Sequence, residues 1–264
     1  MAQVIDAVCA NVPRPGVPRA RVRRTRVPRA GVTFGLALTL IAMRIFASPT
    51  HAEELKPYEA SYNGIWHGMT VAASQLKLEH TGDSWTFSSR SEGRGLGKLA
   101  SGVFPPLQVS VVHVAGGAVQ PQSFKSSGGS ASKSTDLKYD LQAHRVTGTY
   151  EGTAVDLPLT PKVQDDGSVQ LSLMVELLAG HTPASVQLID KNSVRDYQFA
   201  REGEAKLSTP LGEVATVIYR SQKANSPRVT RFWCAPERGY VPMKVEQTIG
   251  QDVQWTLLIQ SLTR

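Results

Sequence analysis

Beyond its first fifty residues the chain keeps a two-residue beat of apolar and polar side chains. Tyr58, Ala60 and Tyr62 alternate with Glu59, Ser61 and Asn63; Leu76 and Leu78 alternate with Lys77 and Glu79. Successive side chains of a β-strand point to opposite faces, so this beat marks strands with one face buried. Turn formers punctuate it at Thr81-Gly82-Asp83, Gly116-Gly117, Glu202-Gly203-Glu204, Pro236-Glu237-Arg238-Gly239 and Gly250-Gln251-Asp252. Trp66-His67-Gly68 closes an N-terminal hairpin. Further strands are expected at residues 84–91, 108–114, 122–126, 135–141, 145–151, 186–190, 194–202, 213–223, 228–234, 241–248 and 253–262. Short strands at this spacing form an antiparallel sheet, sandwich or barrel. The expected fold class is mainly β.

Two segments depart from the beat. Residues 93–102 set small residues around Leu96 and Leu99, as a short helix or a loop does. Residues 168–179 place Leu171, Met174, Val175 and Leu178 on one helical face, with Asp165 to Ser168 as capping residues and Gly180 as the stop. Such a stripe is core far more often than cofactor lining, so we expect this helix to pack across the concave face of a curved sheet. Residues 126–134, rich in Ser and Gly, form a loop too short to link two domains.

The chain holds 29 Lys and Arg against 22 Asp and Glu, a formal charge of +7. All of the excess lies in residues 1–52, with eight arginines and one acid, Asp6; from Glu53 onward there are 21 of each sign. A basic protein invites a nucleic-acid reading, and a neutral body removes it. The leader runs basic, then apolar over 30–43 and, after Arg44, 45–47, then to Thr50-His51-Ala52 with small residues at the outer positions. That is the order of a secretory signal peptide. We expect a signal peptide at 1–52 (basic region 1–29, apolar region 30–47), cleaved between Ala52 and Glu53. A single β-rich domain, 53–264, is then exported to the periplasm. The alternative is an uncleaved inner-membrane anchor facing the periplasm, which must hold Arg44 in mid-span at roughly 2.5 kcal/mol or more. No second apolar run is long enough to span a bilayer, so no mature transmembrane segment is expected.

Signals for chemistry are sparse. Cys9 lies in the leader and Cys234 stands alone in the body, between apolar neighbours, as a buried small hydrophobe does. The body histidines, His67, His80, His113, His144 and His181, show no paired ligand spacing. Ser130-Ala131-Ser132-Lys133 matches a Ser-x-x-Lys pattern without the Lys-Thr-Gly strand its chemistry needs. Asp165-Asp166-Gly167 lacks the further oxygen ligands of a calcium loop and reads as a capped turn. No nucleophile elbow, phosphate-cradling loop or dinucleotide fingerprint occurs. We expect no catalytic residue, metal or cofactor. Aromatic residues gather toward the two ends of the body. Core packing accounts for most of them. If the terminal strands pair, Tyr58, Tyr62, Trp66, Trp233 and Trp255 are the candidates for contact with an apolar ligand or partner. Trp66, in a turn, is the hardest to explain as core.

Longer motifs carry a resemblance. Leu55-Lys56-Pro57-Tyr58-Glu59-Ala60-Ser61-Tyr62 with Gly68 resembles the opening of a family of exported bacterial proteins catalogued as domain-of-unknown-function family 3108. The match continues at Val163-Gln164-Asp165 with Leu171-Ser172-Leu173, at Thr209-Pro210-Leu211-Gly212-Glu213, and through Arg231-Phe232-Trp233-Cys234-Ala235-Pro236 to Val241-Pro242-Met243-Lys244-Val245. The resemblance implies a curved, half-open antiparallel sheet or incomplete barrel with one or two short helices on its concave face, like periplasmic lipoprotein carriers. It supplies no catalytic residue, and fold alone licenses no activity.

The resulting expectation is a non-enzymatic periplasmic binding or envelope-assembly factor. Its partner would be an apolar or lipid-like ligand, a lipoprotein or an envelope protein, with no nucleic acid and no cofactor. Two alternatives stay open: an envelope hydrolase whose catalytic residues are dispersed in sequence, and a module that pairs strand edges with a partner.

Overall fold

The expected first hairpin forms from β1 (Tyr58–Trp66) and β2 (Met69–Thr81), which pair antiparallel about His67-Gly68. Both turn residues have positive φ, +46° and +78°, the geometry whose twist matches the flanking strands. This computed structural model describes residues 54–94, 107–127 and 133–264. The leader with its Ala52–Glu53 cleavage point, most of segment 93–102 and Ser130-Ala131-Ser132 lie outside the described residues.

From β2 the chain continues as an antiparallel meander through β3 (Ser84–Gly93), β4 (Leu107–Ala115), β5 (Ala118–Ser127), β6 (Thr135–Asp140), β7 (Arg145–Tyr150) and β8 (Thr153–Pro158). Then come β9 (Val163–Gln164) and α1 (Ser168–Leu178). A second meander follows: β10 (Ser185–Ile189), β11 (Val194–Thr209), β12 (Gly212–Lys223), β13 (Arg228–Ala235), β14 (Val241–Ile249) and β15 (Asp252–Thr263). β15 pairs with β1, Tyr62 opposite Ile259 and Trp66 opposite Trp255, and so fuses the two meanders. The result is one open 15-stranded sheet in the order β8-β7-β6-β5-β4-β3-β2-β1-β15-β14-β13-β12-β11-β10-β9, antiparallel except for β9 with β10. Among the described residues the fold is mainly β with one short α-helix, as the sequence pattern and the resemblance imply.

β8 and β9 stand at opposite ends of that order, yet only residues 159–162 separate them in sequence. The sheet must therefore curl. Its two ends meet through side chains: Phe124, Leu137 and Tyr139 from one half share an apolar cluster with Val163 and Ile189 from the other. Gln164 Nε2 also reaches across to donate to Val119 O at 2.9 Å. This is a barrel closed by packing rather than by a ladder.

α1 lies inside the curl. Nine of its eleven residues are buried, including Leu173 and Leu177 away from the expected stripe. The single apolar face read from the sequence is thus too narrow, because the sheet wraps the helix. Its start is a reciprocal capping box. Asp165 Oδ1 accepts from the N–H groups of Gly167 (2.9 Å) and Ser168 (2.8 Å), and Ser168 Oγ accepts from Asp165 N–H (2.8 Å). At its end Gly180 takes φ +73°, with its N–H on Leu177 O and the His181 N–H on Glu176 O. That is a Schellman stop.

Two readings need correction. Glu202-Gly203-Glu204 is no turn. It lies within β11, where the register slips between Arg201 and Gly203; Gly203 serves a β-bulge, which draws on the same residues as a turn. Strands β8 and β9 were not expected. One is an edge ending in Pro158 and the other has two residues, so neither carries enough alternation to be seen.

Candidate functional site

The aromatic candidates do not form one patch. Tyr58, Tyr62 and Trp255 are buried at 1–3 % exposure in the main core cluster. Each polar end is engaged inside. The Tyr58 hydroxyl accepts from Gln170 Nε2 of α1 (3.0 Å), Tyr62 donates to Pro242 O (2.8 Å), and Trp255 Nε1 donates to Gln247 Oε1 (3.2 Å). Burial holds both phenols well above their ordinary pKa. Trp66 is half-buried against the same cluster, and the exposed His67 ring packs edge-on to it at 4.7 Å. Trp233 stands apart. It lies between the buried Phe232 and Cys234 on β13, so alternation turns it to the outer face, where Lys244 Nζ sits 4.4 Å from its ring centre.

Among the described residues, α1 fills the concave face. Leu171, Leu173 and Met174 of α1 are at most 1 % exposed. Beside the helix start, a cleft of about 30 Å³ remains among Val169, Leu188, Phe232, Val245 and Trp255, with Gln170, Ser221 and Thr230 as its polar members. That volume suits one water. Trp255, in its wall, is held by Gln247, which accepts from Arg228 Nη1 (2.8 Å) as well as from Trp255.

Larger openings lie outside. One of about 270 Å³ sits at the β12–β13 turn, around Arg220, Gln222 and Asn225. Another, of about 410 Å³, lies over the β11–β12 hairpin, lined by Glu204 and Lys206 of β11, Ala215 and Val217 of β12, and Pro236. No sequence signal pointed to the second. It forms where Pro236, opening the 3-10 turn after β13, stands against the paired strands β11 and β12, an event of chain path rather than of motif.

Reactive groups do not converge among the described residues. Ser110 Oγ donates to Asp165 Oδ2 (3.0 Å), a helix-seating contact. Burial raises the Asp165 carboxyl to about 6, against the lowering effect of its hydrogen bonds to Ser168, Ser110 and Gly167. No described histidine is hydrogen-bonded to a serine; His113 Nδ1 bonds Asp83 O, and His80 stacks on Trp85. Cys234 is fully buried, which pushes its thiol pKa far up. No group of three His, Cys, Asp or Glu among the described residues could hold a metal ion. No helix among them is long and apolar enough to cross a membrane.

Fold and surface together define a class: a curled antiparallel sheet wound around a buried helix, with an outer groove over the β11–β12 hairpin. The chain belongs to the DUF3108 family, described as protein of unknown function, whose family model matches residues 57–252. No curated protein matches the chain significantly. Among solved structures it is similar to a presumed exported protein with a YmcC-like fold from Bacteroides fragilis. Identity is 11 %, coverage 80 % of this chain and 98 % of that one, and the TM-score 0.35. An overlap that low defines no role.

Proposed function

We propose that this protein is a non-enzymatic binding or assembly factor of the bacterial envelope, exported to the periplasm, which acts on a protein partner through its outer surface. The observation that carries this reading is that α1 fills the concave face among the described residues. With α1 seated there, the space beside it is about 30 Å³, against the several hundred Å³ of a pocket that encloses a ligand. The outer groove of about 410 Å³ is an order of magnitude larger. The scattered reactive groups support a role without catalysis, and the leader supports export.

Two measurements test it. Native mass spectrometry of the protein taken directly from cells should show the polypeptide mass alone, and in-cell crosslinking should yield a protein adduct. A co-purifying lipid with no protein adduct would return the concave face to the leading role. Fractionation with N-terminal sequencing should find the mature chain in the periplasm, beginning at Glu53.

A further inference from the structure

We propose that one end of the sheet is a docking edge for an anionic membrane surface. The pocket at the β12–β13 turn takes a lipid phosphate, and the neighbouring turns enter the boundary between headgroups and acyl chains. The proposal goes beyond the protein-binding reading above and does not depend on it. Strands β12 to β15 and then β1 and β2 are neighbours and run antiparallel, so the β12–β13, β14–β15 and β1–β2 turns fall at the same end. They make one continuous edge. The Gly250 N–H of the second turn donates to Pro227 O of the first (3.1 Å), and Trp66 of the third stands opposite Trp255 of β15.

This end is where the apolar surface lies. Among the described residues four large apolar side chains are exposed, Met69, Leu107, Leu141 and Val253, and only Leu141 is at the other end. Met69 opens β2 opposite Trp66, Val253 follows the β14–β15 turn, and Leu107 opens β4 near the end of β3. Met69 is 50 % exposed and Val253 43 %. Apolar surface kept in water at adjoining turns marks a contact site. Trp66 is packed against the core yet half-buried, with the exposed His67 ring beside it. A tryptophan with one side apolar and one side wet is the residue enriched where membrane meets water.

Charge selects the occupant. The pocket of about 270 Å³ is lined by Arg220 and Lys223, with the amides of Gln198, Gln222 and Asn225 and no acid. Glu202 stands 3.8 Å from Arg220 Nε but is bonded to Arg231 Nε at 2.7 Å. Arg220 is braced by Gln222 Oε1 (2.6 Å), whose Nε2 holds the turn through Ser226 O (2.7 Å). A fixed guanidinium and a nearby ammonium suit a phosphate. Beyond Met69, the Arg94 N–H bonds Val71 O (2.7 Å), so a further cation flanks the edge. Across residues 66–69, 223–228 and 249–253, Asp252 is the one acid. A soluble anion accounts for the pocket but not for Met69, Trp66 and Val253. An apolar protein surface accounts for those three but not for an acid-free basic pocket. An anionic bilayer presents phosphate and hydrocarbon together, within reach of adjoining turns.

The test floats the full chain, isolated from cells, with vesicles of phosphatidylethanolamine and phosphatidylglycerol, and separately with phosphatidylcholine vesicles. Binding should be about tenfold tighter to the anionic vesicles and should fall steeply between ~0.05 and ~0.5 M NaCl. Met69→Glu with Val253→Glu should weaken it about tenfold. Arg220→Gln with Lys223→Gln should weaken it about twentyfold, at roughly fivefold for each cation near the surface. Leu141→Glu, at the opposite end, should leave it unchanged. Brominated acyl chains should quench tryptophan emission, and Trp66→Phe should remove most of that quenching. A leader retained on the chain is common to every variant, so the differences among variants decide. Equal binding by the wild type and both double variants overturns the site. So does the absence of vesicle binding, which leaves the protein-partner reading standing. Inorganic phosphate at ~10 mM that slows hydrogen exchange at 223–226, where vesicles do not, makes the pocket a soluble-anion site and overturns the membrane edge. Protein crosslinks from positions 69 and 253 in cells, without vesicle binding, assign the edge to the protein partner and overturn it likewise.

Discussion

Asp165 holds the start of α1 while 3 % exposed, and it does so as a carboxyl whose pKa burial lifts to about 6 from 3.8. The folded chain thus binds this proton more tightly than the unfolded chain. Stability from protonation is fully present below about pH 4 and is lost as pH rises through about 6, a swing of about 3 kcal/mol. Asp165→Asn keeps an oxygen for the Gly167 and Ser168 N–H groups and gains a donor toward Ser110. It should match or exceed the wild type at pH 7.5 and lose ground to it as pH falls toward 4.5. Urea titrations of both proteins at the two pH values decide this, and parallel pH profiles would refute it. Cys234 is the other informative residue. At 0 % exposure with its pKa raised by burial, it should resist an aromatic disulfide reagent until the protein unfolds. Prompt labelling of the native protein would return it to the list of reactive groups. Its inertness could be read from Phe232-Trp233-Cys234-Ala235, whereas the raised pKa of Asp165 could not. Burial of that carboxyl depends on Ser110, 55 positions away.

At the scale of elements, the two-residue beat made the long strands readable, and glycine marks the places where backbone approach is too close for a side chain. Gly148 of β7 has φ +141°, and a Cβ there would sit 2.0 Å from Asp136 O on β6. Gly148→Ala must separate the two strands and should cost several kcal/mol, in the class of backbone strain. Gly82→Ala, with φ +58° and open space around it, should cost only about 1–2 kcal/mol. Equal losses of urea midpoint would contradict the close contact. Leu171→Ala in α1, fully buried, should cost about 2–5 kcal/mol, and Ser172→Ala on its half-buried side almost nothing. Elements fail to be legible where they depend on partners. Gly203 carries the composition of a turn but sits in a bulge, because β12 continues past it as a ladder. The groove over β11 and β12 is set by where Pro236 follows β13, which no residue of β12 records.

For the whole molecule, the sheet is continuous in hydrogen bonds from β8 to β9 but divided in its core. The larger cluster joins β1–β5, α1 and β10–β15, and it includes Tyr62, Leu171, Met243, Trp255 and Ile259. The smaller one, around Phe124, Leu137, Tyr139 and Val146, is what holds β6–β8 against β9 and β10. β8 buries Val155 fully and little else. Where few apolar contacts support a ladder, it opens below the global free energy. Native-state amide exchange should therefore find β6–β8 opening as one unit, at a free energy a few kcal/mol below that of β1, β14 and β15. Adding denaturant should merge the two groups as global unfolding takes over. Truncating Leu137 to Ala should lower protection in β6–β8 more than in β1. Exchange of β6–β8 only through global unfolding, with Leu137→Ala lowering both groups equally, would mean that the packed seam between the sheet ends couples them as tightly as a ladder. The curl would then be a closed barrel in energy as well as in outline.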